Sequence, residues 1–299
     1  MPHNSNLISG LILGGITFAG IAIGITTWRQ PPVQDPITLE RKDPIPYNLE
    51  QPDQIIKLPG ELKEISGLCT WSATEVLAVQ DEKGKVFRFD LTQEEIVATI
   101  NFGKDLDYEG ITRNNDTFFI LESDGDVHTF QYQPGQKKYD AQKLETPFKQ
   151  GHDTEAICFD ASSNRLLIAP KEAQLGQLKG EKNYKGIYPF SLDDKKMGEA
   201  AYAIDLQVLG NLLYQDNKRY TVKPSGMAFH PTSGELYVVS SYGHLLVVLD
   251  KNNKLIHVEL LDEKLLPQPE GITFLPDHTL VISSEGQGGR GVILSFRPR

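Results

Sequence analysis

The sequence predicts an all-β fold, a five-bladed β-propeller, preceded by one N-terminal transmembrane helix. Three observations support this prediction. The first 28 residues of the 299-residue chain contain no Asp, Glu, Lys or Arg. Residues 29–52 are rich in proline, and one short phrase then recurs five times between residues 64 and 272. We therefore divide the chain into a transmembrane anchor (1–28), a linker (29–52) and a propeller (53–299).

The anchor is predicted from the apolar segment Leu7–Trp28, which is about 22 residues long and uncharged. At about 1.5 Å of rise per residue, a helix of this length spans a hydrocarbon core of about 30 Å. Trp28 and Arg29 stand at its end, where an interfacial aromatic residue and a cation are typical. A cleaved signal peptide is the alternative, but residues 1–6 lack the Lys or Arg that its first region needs. We expect a retained, single-pass anchor.

The linker is predicted from prolines that lie among polar residues. Between Gln30 and Gln51 they are Pro31, Pro32, Pro36, Pro44 and Pro46. Such a composition favours a stiff, extended chain. The segment is therefore expected to hold the following domain away from the bilayer.

The propeller is predicted from the recurring phrase and its period. The phrase reads Glu64–Leu68 (EISGL), Asp107–Ile111 (DYEGI), Asp153–Ile157 (DTEAI), Lys223–Met227 (KPSGM) and Gln268–Ile272 (QPEGI). Its spacings are 43, 46, 70 and 45 residues. Short runs of β-formers such as EVLAV and ELYVVS follow each phrase, separated by turn sequences such as DEKG and TSGE. Three to four strands in a unit of about 45 residues is the size of a propeller blade.

The 70-residue interval contains only one phrase and one set of strands, so we expect an insertion rather than a sixth blade. Leu206, Leu209 and Leu213 within it have helical spacing, which predicts a short helix. The last unit ends one strand short, while Asp53–Leu58 supplies a strand before the first phrase. Pairing the two would close the ring and remove exposed edges.

Composition excludes some functions. The formal net charge is −10, and an acidic surface repels phosphate backbones, so nucleic acid is not expected as a partner. Cys69 and Cys158 follow equivalent phrases in non-adjacent units, too far apart for a disulfide. Both are expected to be buried and reduced.

The repeats resemble the SdiA-regulated family from about Asp53 to Arg299. The resemblance is carried by ISGL with AVQDEKGKVFRFDL, DYEGI with ILESDG, TEAICFD with IAPKE, SGMAFHPTSGELYVVSS, and PEGITFLPDHTLVISSE. It implies an N-terminal membrane segment, a five-bladed propeller related to NHL repeats, and a calcium site. Two phrases depart from the pattern with Ser66 and Ser225 in place of Glu, and a third has Ala156 in place of Gly.

Three glutamates of the phrase are the candidate metal ligands. In a propeller the phrase enters the innermost strand, so Glu109, Glu155 and Glu270 should converge at one mouth of the central channel. Converging carboxylates repel each other unless they are protonated or bridged by a cation, and hard oxygen donors suit calcium better than zinc. The alternative is that each Glu caps backbone N–H groups of its own blade.

A second group of acidic residues follows the second strands of the units. It comprises Asp81, Glu82, Glu122, Glu172 and Glu285. These residues are either outer ligands, among which we favour Asp81, Glu122 and Glu172, or turn residues on a solvated rim.

The sequence has no Gly-x-Ser-x-Gly, His-Glu-x-x-His or Walker glycine loop. His152 is the one histidine expected near the channel mouth.

We expect a membrane-anchored, calcium-binding module with a binding or scaffold role at the cell envelope; the alternative is a calcium-dependent hydrolase of a small ester or lactone. The resemblance favours the inner membrane with the propeller facing the periplasm, whereas Arg29, Arg41 and Lys42, taken literally, favour the cytoplasm.

Overall fold

The computed structural model describes residues 45–214 and 220–299. The predicted transmembrane helix at residues 7–28, and linker residues 29–44, lie outside the described residues. Within the described part of the chain, no helix is long and apolar enough to cross a membrane.

The strands form five antiparallel sheets arranged as five blades. Before the first blade lies β1 (Gln54–Lys57). The first blade contains β2 (Ile65–Thr70), β3 (Glu75–Gln80), β4 (Lys85–Asp90) and β5 (Glu95–Asn101). The second contains β6 (Tyr108–Asn114), β7 (Thr117–Glu122), β8 (Val127–Gln131) and β9 (Gln142–Leu144). The third contains β10 (Thr154–Asp160), β11 (Arg165–Pro170), β12 (Tyr184–Ser191), β13 (Lys196–Met197) and β14 (Tyr202–Asp205).

The last two blades follow helix α1 (Leu206–Tyr214). The fourth contains β15 (Pro224–Phe229), β16 (Leu236–Ser240), β17 (Leu245–Leu249) and β18 (Leu255–Leu260). The fifth contains β19 (Gln268–Phe274), β20 (Leu280–Glu285) and β21 (Val292–Phe296). Short 3-10 helices lie at Gly60–Leu62, Gln150–His152 and Gly176–Leu178. The predicted five-bladed propeller is confirmed.

The middle strands of the fourth blade are buried on both faces. Every residue of β16 (LYVVS) and β17 (LLVVL) is buried. A blade packs between two neighbours, so both faces of its sheet must be covered, and a strand there lacks the alternation of a half-exposed sheet. Apolar side chains between neighbouring blades form the core.

The ring closes through β1. It pairs antiparallel with β21 in the register Gln54 with Ser295 to Lys57 with Val292. Beyond the strand, the Leu58 N–H donates to the Gly291 carbonyl at 2.8 Å. The predicted pairing of the first strand with the last blade is therefore confirmed.

The long interval holds an insertion in the third blade. Its β12 pairs with β13 at one end and with β14 at the other. Helix α1 follows at once, and Asp205 Oδ1 caps it by accepting the N–H groups of Gln207 and Val208 at 2.9 and 3.0 Å. Leu206 and Leu209 bury the helix against the core of blades three and four. The predicted helix is confirmed.

The domain begins before the predicted boundary at residue 53. Ile45, Tyr47 and Leu49 are buried against the fourth and fifth blades. Tyr47 Oη donates to the His278 carbonyl at 2.8 Å. The end of the predicted linker is therefore packed on the propeller. Its apolar side chains occupy every second position, so they lie on one side of the extended chain and contact the blades.

The innermost strands, which begin at the phrase, share two features. Each has a β-bulge at which the pairing skips the Glu or Ser of the phrase. The glycine of the phrase allows neighbouring innermost strands to approach closely: a Cβ on Gly67 would lie 2.7 Å from Gly110 Cα, and one on Gly226 would lie 2.2 Å from the Glu270 carbonyl oxygen. A bulge re-aims a side chain, and here the Glu and Ser side chains point to the axis. Cys69 and Cys158 lie just beyond, buried and unpaired, as predicted.

Candidate functional site

Side chains from the innermost strands line the central channel in three tiers. The acidic tier contains Ser66, Glu109, Glu155, Ser225 and Glu270. The apolar tier, two residues further along each strand, contains Leu68, Ile111, Ile157, Met227 and Ile272. The lower tier, two residues further again, contains Thr70, Arg113, Phe159, Phe229 and Phe274. The alternation of a strand explains why every second residue faces the axis.

The acidic tier surrounds a cavity of about 10 Å³, which Glu109, Glu155, Ser225 and Glu270 line. This is room for about one water molecule. The structure thus brings together the three glutamates of the phrase.

The two serines bind neighbouring blades instead. Ser66 Oγ donates to the Tyr108 carbonyl and Ser225 Oγ to the Pro269 carbonyl, each at 2.6 Å. Both bonds join one innermost strand to the next. The serines therefore strengthen the ring, and the acidic tier has three carboxylates rather than five.

Burial and mutual repulsion favour the protonated form of these carboxyls. Burial, followed by the charges of Glu155, Asp107 and Glu270, raises the pKa of Glu109 to about 10. Burial raises the pKa of Glu155 to about 7, although Lys171 opposes the rise. Burial and the charge of Glu155 hold the pKa of Glu270 well above its usual range. A low-dielectric site with clustered acids disfavours their charge.

Lys171 is the cation of this site, and the sequence analysis missed it. It follows β11, and its Nζ donates to Glu155 Oε1 and lies 3.9 Å from Asp153 Oδ2. Burial lowers the pKa of Lys171, but the charge of Glu155 outweighs this and keeps the pKa above its ordinary value. The signal was present in the sequence, because Lys171 occupies in the third blade the position of Asp81 in the first.

The second group of acids is not assembled into one site. Glu122 Oε2 lies 2.9 Å from His128 Nε2 and 3.5 Å from Lys143 Nζ. Glu172 Oε1 accepts from Lys223 Nζ at 2.5 Å. These two carboxylates are engaged in ion pairs.

Asp81 and Glu285 differ from the other members of that group. Asp81 Oδ1 is buried and has no hydrogen-bond partner. Burial, then the charges of Glu64 and Glu82, raises the pKa of Asp81 to about 6. Burial and a hydrogen bond with Glu64 raise the pKa of Glu285 to about 7. These two residues add protonatable acids around the mouth.

The capping alternative finds no support in the described residues, where no backbone N–H donates to the carboxylates of Glu109, Glu155 or Glu270. Among these residues, the side chain of Gln268 is the one donor to Glu270, at 2.8 Å. Glu155 Oε2 is buried without any partner. The glutamates are therefore not explained as local caps.

A calcium ion fits this donor set in chemical type. The donors are oxygens, one of them is unsatisfied, and three carboxylates with one ammonium leave a formal charge of −2 when all are ionised. Among the described residues, however, no three His, Cys, Asp or Glu side chains are grouped closely enough to hold a metal ion as they stand. Binding an ion would require the carboxylates to move together.

Comparison with known proteins identifies the family. The family model described as SdiA-regulated matches residues 54–287, which include β1 and all five phrases. The chain belongs to the SdiA-regulated family. No curated protein matches the sequence.

Solved structures similar to this SdiA-regulated protein are propellers with low sequence identity. A glutaminyl cyclase from Myxococcus xanthus aligns with a TM-score of 0.56 and 11% identity over 83% of this chain and 95% of that chain. A luciferin-regenerating enzyme aligns with a TM-score of 0.52 and 11% identity over the same shares. At such identity the likeness shows the fold alone.

Proposed function

We propose that this SdiA-regulated protein is a calcium-binding module, anchored in a membrane, whose acidic tier holds the ion. The observation that carries the proposal is the cavity lined by Glu109, Glu155 and Glu270 from three different blades. No local secondary structure requires these acids, and their burial costs free energy unless a proton or a cation compensates their charge.

The three glutamates would be the ligands, with Ser225 beside them. Of the outer candidates Asp81, Glu122 and Glu172, only Asp81 has a buried oxygen without a partner. Glu122 and Glu172 would first have to leave their ion pairs. When bound, calcium supplies a positive centre that keeps the carboxylates ionised and that attracts oxygen atoms of a ligand at the mouth. Lys171 would then have to share Glu155 with the ion.

The membrane part of the proposal is supported by sequence alone. The uncharged segment Leu7–Trp28 has the length of a membrane helix, and the propeller begins by Ile45. An anchor of this kind places the domain close to a membrane surface. We propose the inner membrane, with the propeller on the periplasmic side acting in binding or as a scaffold.

Calorimetric titration tests the calcium site. The full chain, stripped with chelator, should bind one calcium ion and release protons, because raised carboxyl pKa values mean that protons must leave before the metal binds. Magnesium should bind much more weakly because it demands a compact octahedral shell. Absence of calcium binding, or equal binding of both ions, would overturn the proposal.

Calcium-dependent hydrolysis of a small ester or lactone is the second candidate function. His152, the one histidine expected near the mouth, uses its Nδ1 to accept the Lys149 N–H at 2.9 Å, and so caps a turn. A binding module should show no turnover of esters, lactones or phosphoesters with calcium present. Turnover that chelator abolishes would favour the hydrolase.

A further inference from the structure

A second cavity, of about 330 Å³, lies at the other mouth of the channel. All five residues of the lower tier line it, together with Asn115 and Pro231 at its rim. Its volume is in the range of sites that bind small molecules.

This cavity is separate from the acidic tier. Leu68, Ile111, Met227 and Ile272 form its floor, and the same side chains line the cavity of the acidic tier from the other side. Each is at most 4% exposed. The acidic and lower tiers are offset by four positions along each strand, a distance of about 13 Å at about 3.3 Å per residue. A ligand here would not touch the glutamates.

Three phenylalanines form part of the cavity wall. Phe159, Phe229 and Phe274 come from three consecutive blades, and the first two are only partly buried. Partly exposed phenylalanines around an open cavity retain apolar surface that an apolar ligand would remove from water.

Arg113 is the charged residue of the cavity. Its Nε donates to the Thr70 carbonyl at 2.9 Å, and its terminal nitrogens donate to the Asn115 and Trp71 carbonyls at 2.8 and 3.0 Å. The guanidinium also lies 4.8 Å from the centre of the Trp71 ring. These contacts fix its position, yet they use three of its five N–H donors.

Arg113 has no acidic partner in the part of the chain that the structure describes. Within residues 45–214 and 220–299, no carboxylate forms an ion pair with it. Thr112 and Thr273 accept the N–H groups of Phe159 and Thr70, each at 3.0 Å, which leaves their hydroxyl hydrogens as donors. The cavity is therefore lined by one fixed cation with two N–H groups not used in these bonds, by two threonine hydroxyls and by three phenylalanine side chains.

We propose that this cavity, which we name the lower pocket, binds a small organic anion that consists of an apolar ring and an acidic group. The carboxylate or similar acidic group would pair with Arg113, and the ring would pack against Phe159, Phe229 and Phe274. A fixed guanidinium in a partly desolvated pocket gives the strongest and most directional recognition of such a group. The proposal is independent of calcium.

The experiment compares two probes of the same shape by fluorine NMR on the full chain. The probes are para-trifluoromethylbenzoate, which is anionic, and para-trifluoromethylbenzamide, which is neutral. The wild-type protein should bind the benzoate at least about tenfold more tightly than the benzamide, since hydrogen bonds to a charged group are worth more than neutral ones. Arg113→Gln should remove this preference, and Phe229→Ala should weaken both probes. Arg290→Gln, at an exposed arginine, is the matched control and should change nothing.

Arg113→Gln also loses bonds to backbone carbonyls, so its unfolding temperature is measured alongside. If that variant does not fold, the benzoate preference of the wild type and the effect of Phe229→Ala decide the outcome. Equal binding of the two probes, a preference that survives in folded Arg113→Gln, or no binding of either at millimolar concentration would overturn the proposal.

Discussion

Lys171 Nζ donates a hydrogen bond to Oε1 of Glu155, while Oε2 of the same buried carboxylate has no partner. The ammonium is thus the hydrogen-bond partner of one of the two carboxylate oxygens of Glu155, in a site that contains three carboxylates. The Lys171 ammonium stabilises the folded protein when no metal is present, and it competes with any metal ion that binds the same oxygens. The affinity of the acidic tier for calcium should therefore depend on Lys171.

Replacing Lys171 with Met should raise calcium affinity and lower stability in chelator. The ammonium repels a divalent ion that shares Glu155, and removing one charge at this range is worth about tenfold or more in affinity. Without its partner, buried Glu155 must take up a proton or remain unpaired, which destabilises the metal-free protein. Calorimetry and thermal unfolding measure the two effects. Lys179→Met, at an exposed lysine of the same blade, is the control. Unchanged or weaker calcium binding by Lys171→Met would contradict this role.

Calcium should raise the melting temperature, and each ligand glutamate should be needed for the rise. A ligand at a hundredfold excess over Kd adds about 2.7 kcal/mol to the free energy of unfolding, which for a domain of this size corresponds to about 5–10 °C. Glu109→Gln, Glu155→Gln or Glu270→Gln should each abolish most of this shift. Glu263→Gln, at an exposed position, should retain it. If all three variants keep the full shift, calcium binds elsewhere.

In chelator, the stability of the domain should fall as pH rises. The pKa of Glu109 is raised from 4.5 to about 10 in the folded protein, so folding favours its protonated form. Its contribution to stability is fully present below about pH 4.5 and is lost as pH rises towards 10, at up to about 1.4 kcal/mol per pH unit for one proton. Glu109→Gln should therefore lose less stability than the wild type between pH 5 and 9, as chemical denaturation can measure. Glu145→Gln, at an exposed position, should follow the wild type. Parallel curves for Glu109→Gln and the wild type would show that Glu109 is ionised in the folded protein.

Much of the fold could be predicted from the sequence because the repeated phrase marks each innermost strand. The same phrase placed Glu109, Glu155 and Glu270 at the axis, since strand alternation and the ring fix which side chains face it. Lys171 was not predicted because the candidate positions were chosen for their acidic residues. A comparison of the residue that follows the second strand in each blade gives Lys171 in the third blade where the first has Asp81.

The lower pocket could not be predicted in the same way. The phrase ends before the lower tier, whose residues differ from blade to blade. The packing of Ile45, Tyr47 and Leu49 was also missed, because proline composition describes the stiffness of a segment and not the surface it meets. Its alternating apolar residues were the available signal.

The apolar segment Leu7–Trp28 is expected to anchor the chain in the membrane with the propeller outside the cytoplasm. Alkaline carbonate should leave the protein in the membrane pellet, because a spanning helix is held by hydrophobic burial that pH does not disrupt. Protease added to spheroplasts should digest the propeller. Recovery in the carbonate supernatant would contradict the anchor, and protection from external protease would contradict the orientation.

Truncation from the N-terminus should reveal two separate contributions to the stability of the propeller. Removing residues 1–44 should leave the melting temperature nearly unchanged, because the buried contacts of Ile45, Tyr47 and Leu49 remain. Removing residues 1–52 deletes these side chains, each of which contributes about 1.5–3 kcal/mol on full burial before chain entropy is subtracted. Since each kcal/mol corresponds to about 2–4 °C here, a drop of at least about 5 °C is expected. Removing residues 1–58 also deletes β1, which leaves β21 as an exposed edge and should cause aggregation as well as a further drop.

The truncations are compared by calorimetry in chelator, with light scattering to follow association. A melting temperature that falls equally in all three would place the stabilising contacts before residue 45, and an unchanged one after removal of 1–58 would show that β1 does not close the ring in solution.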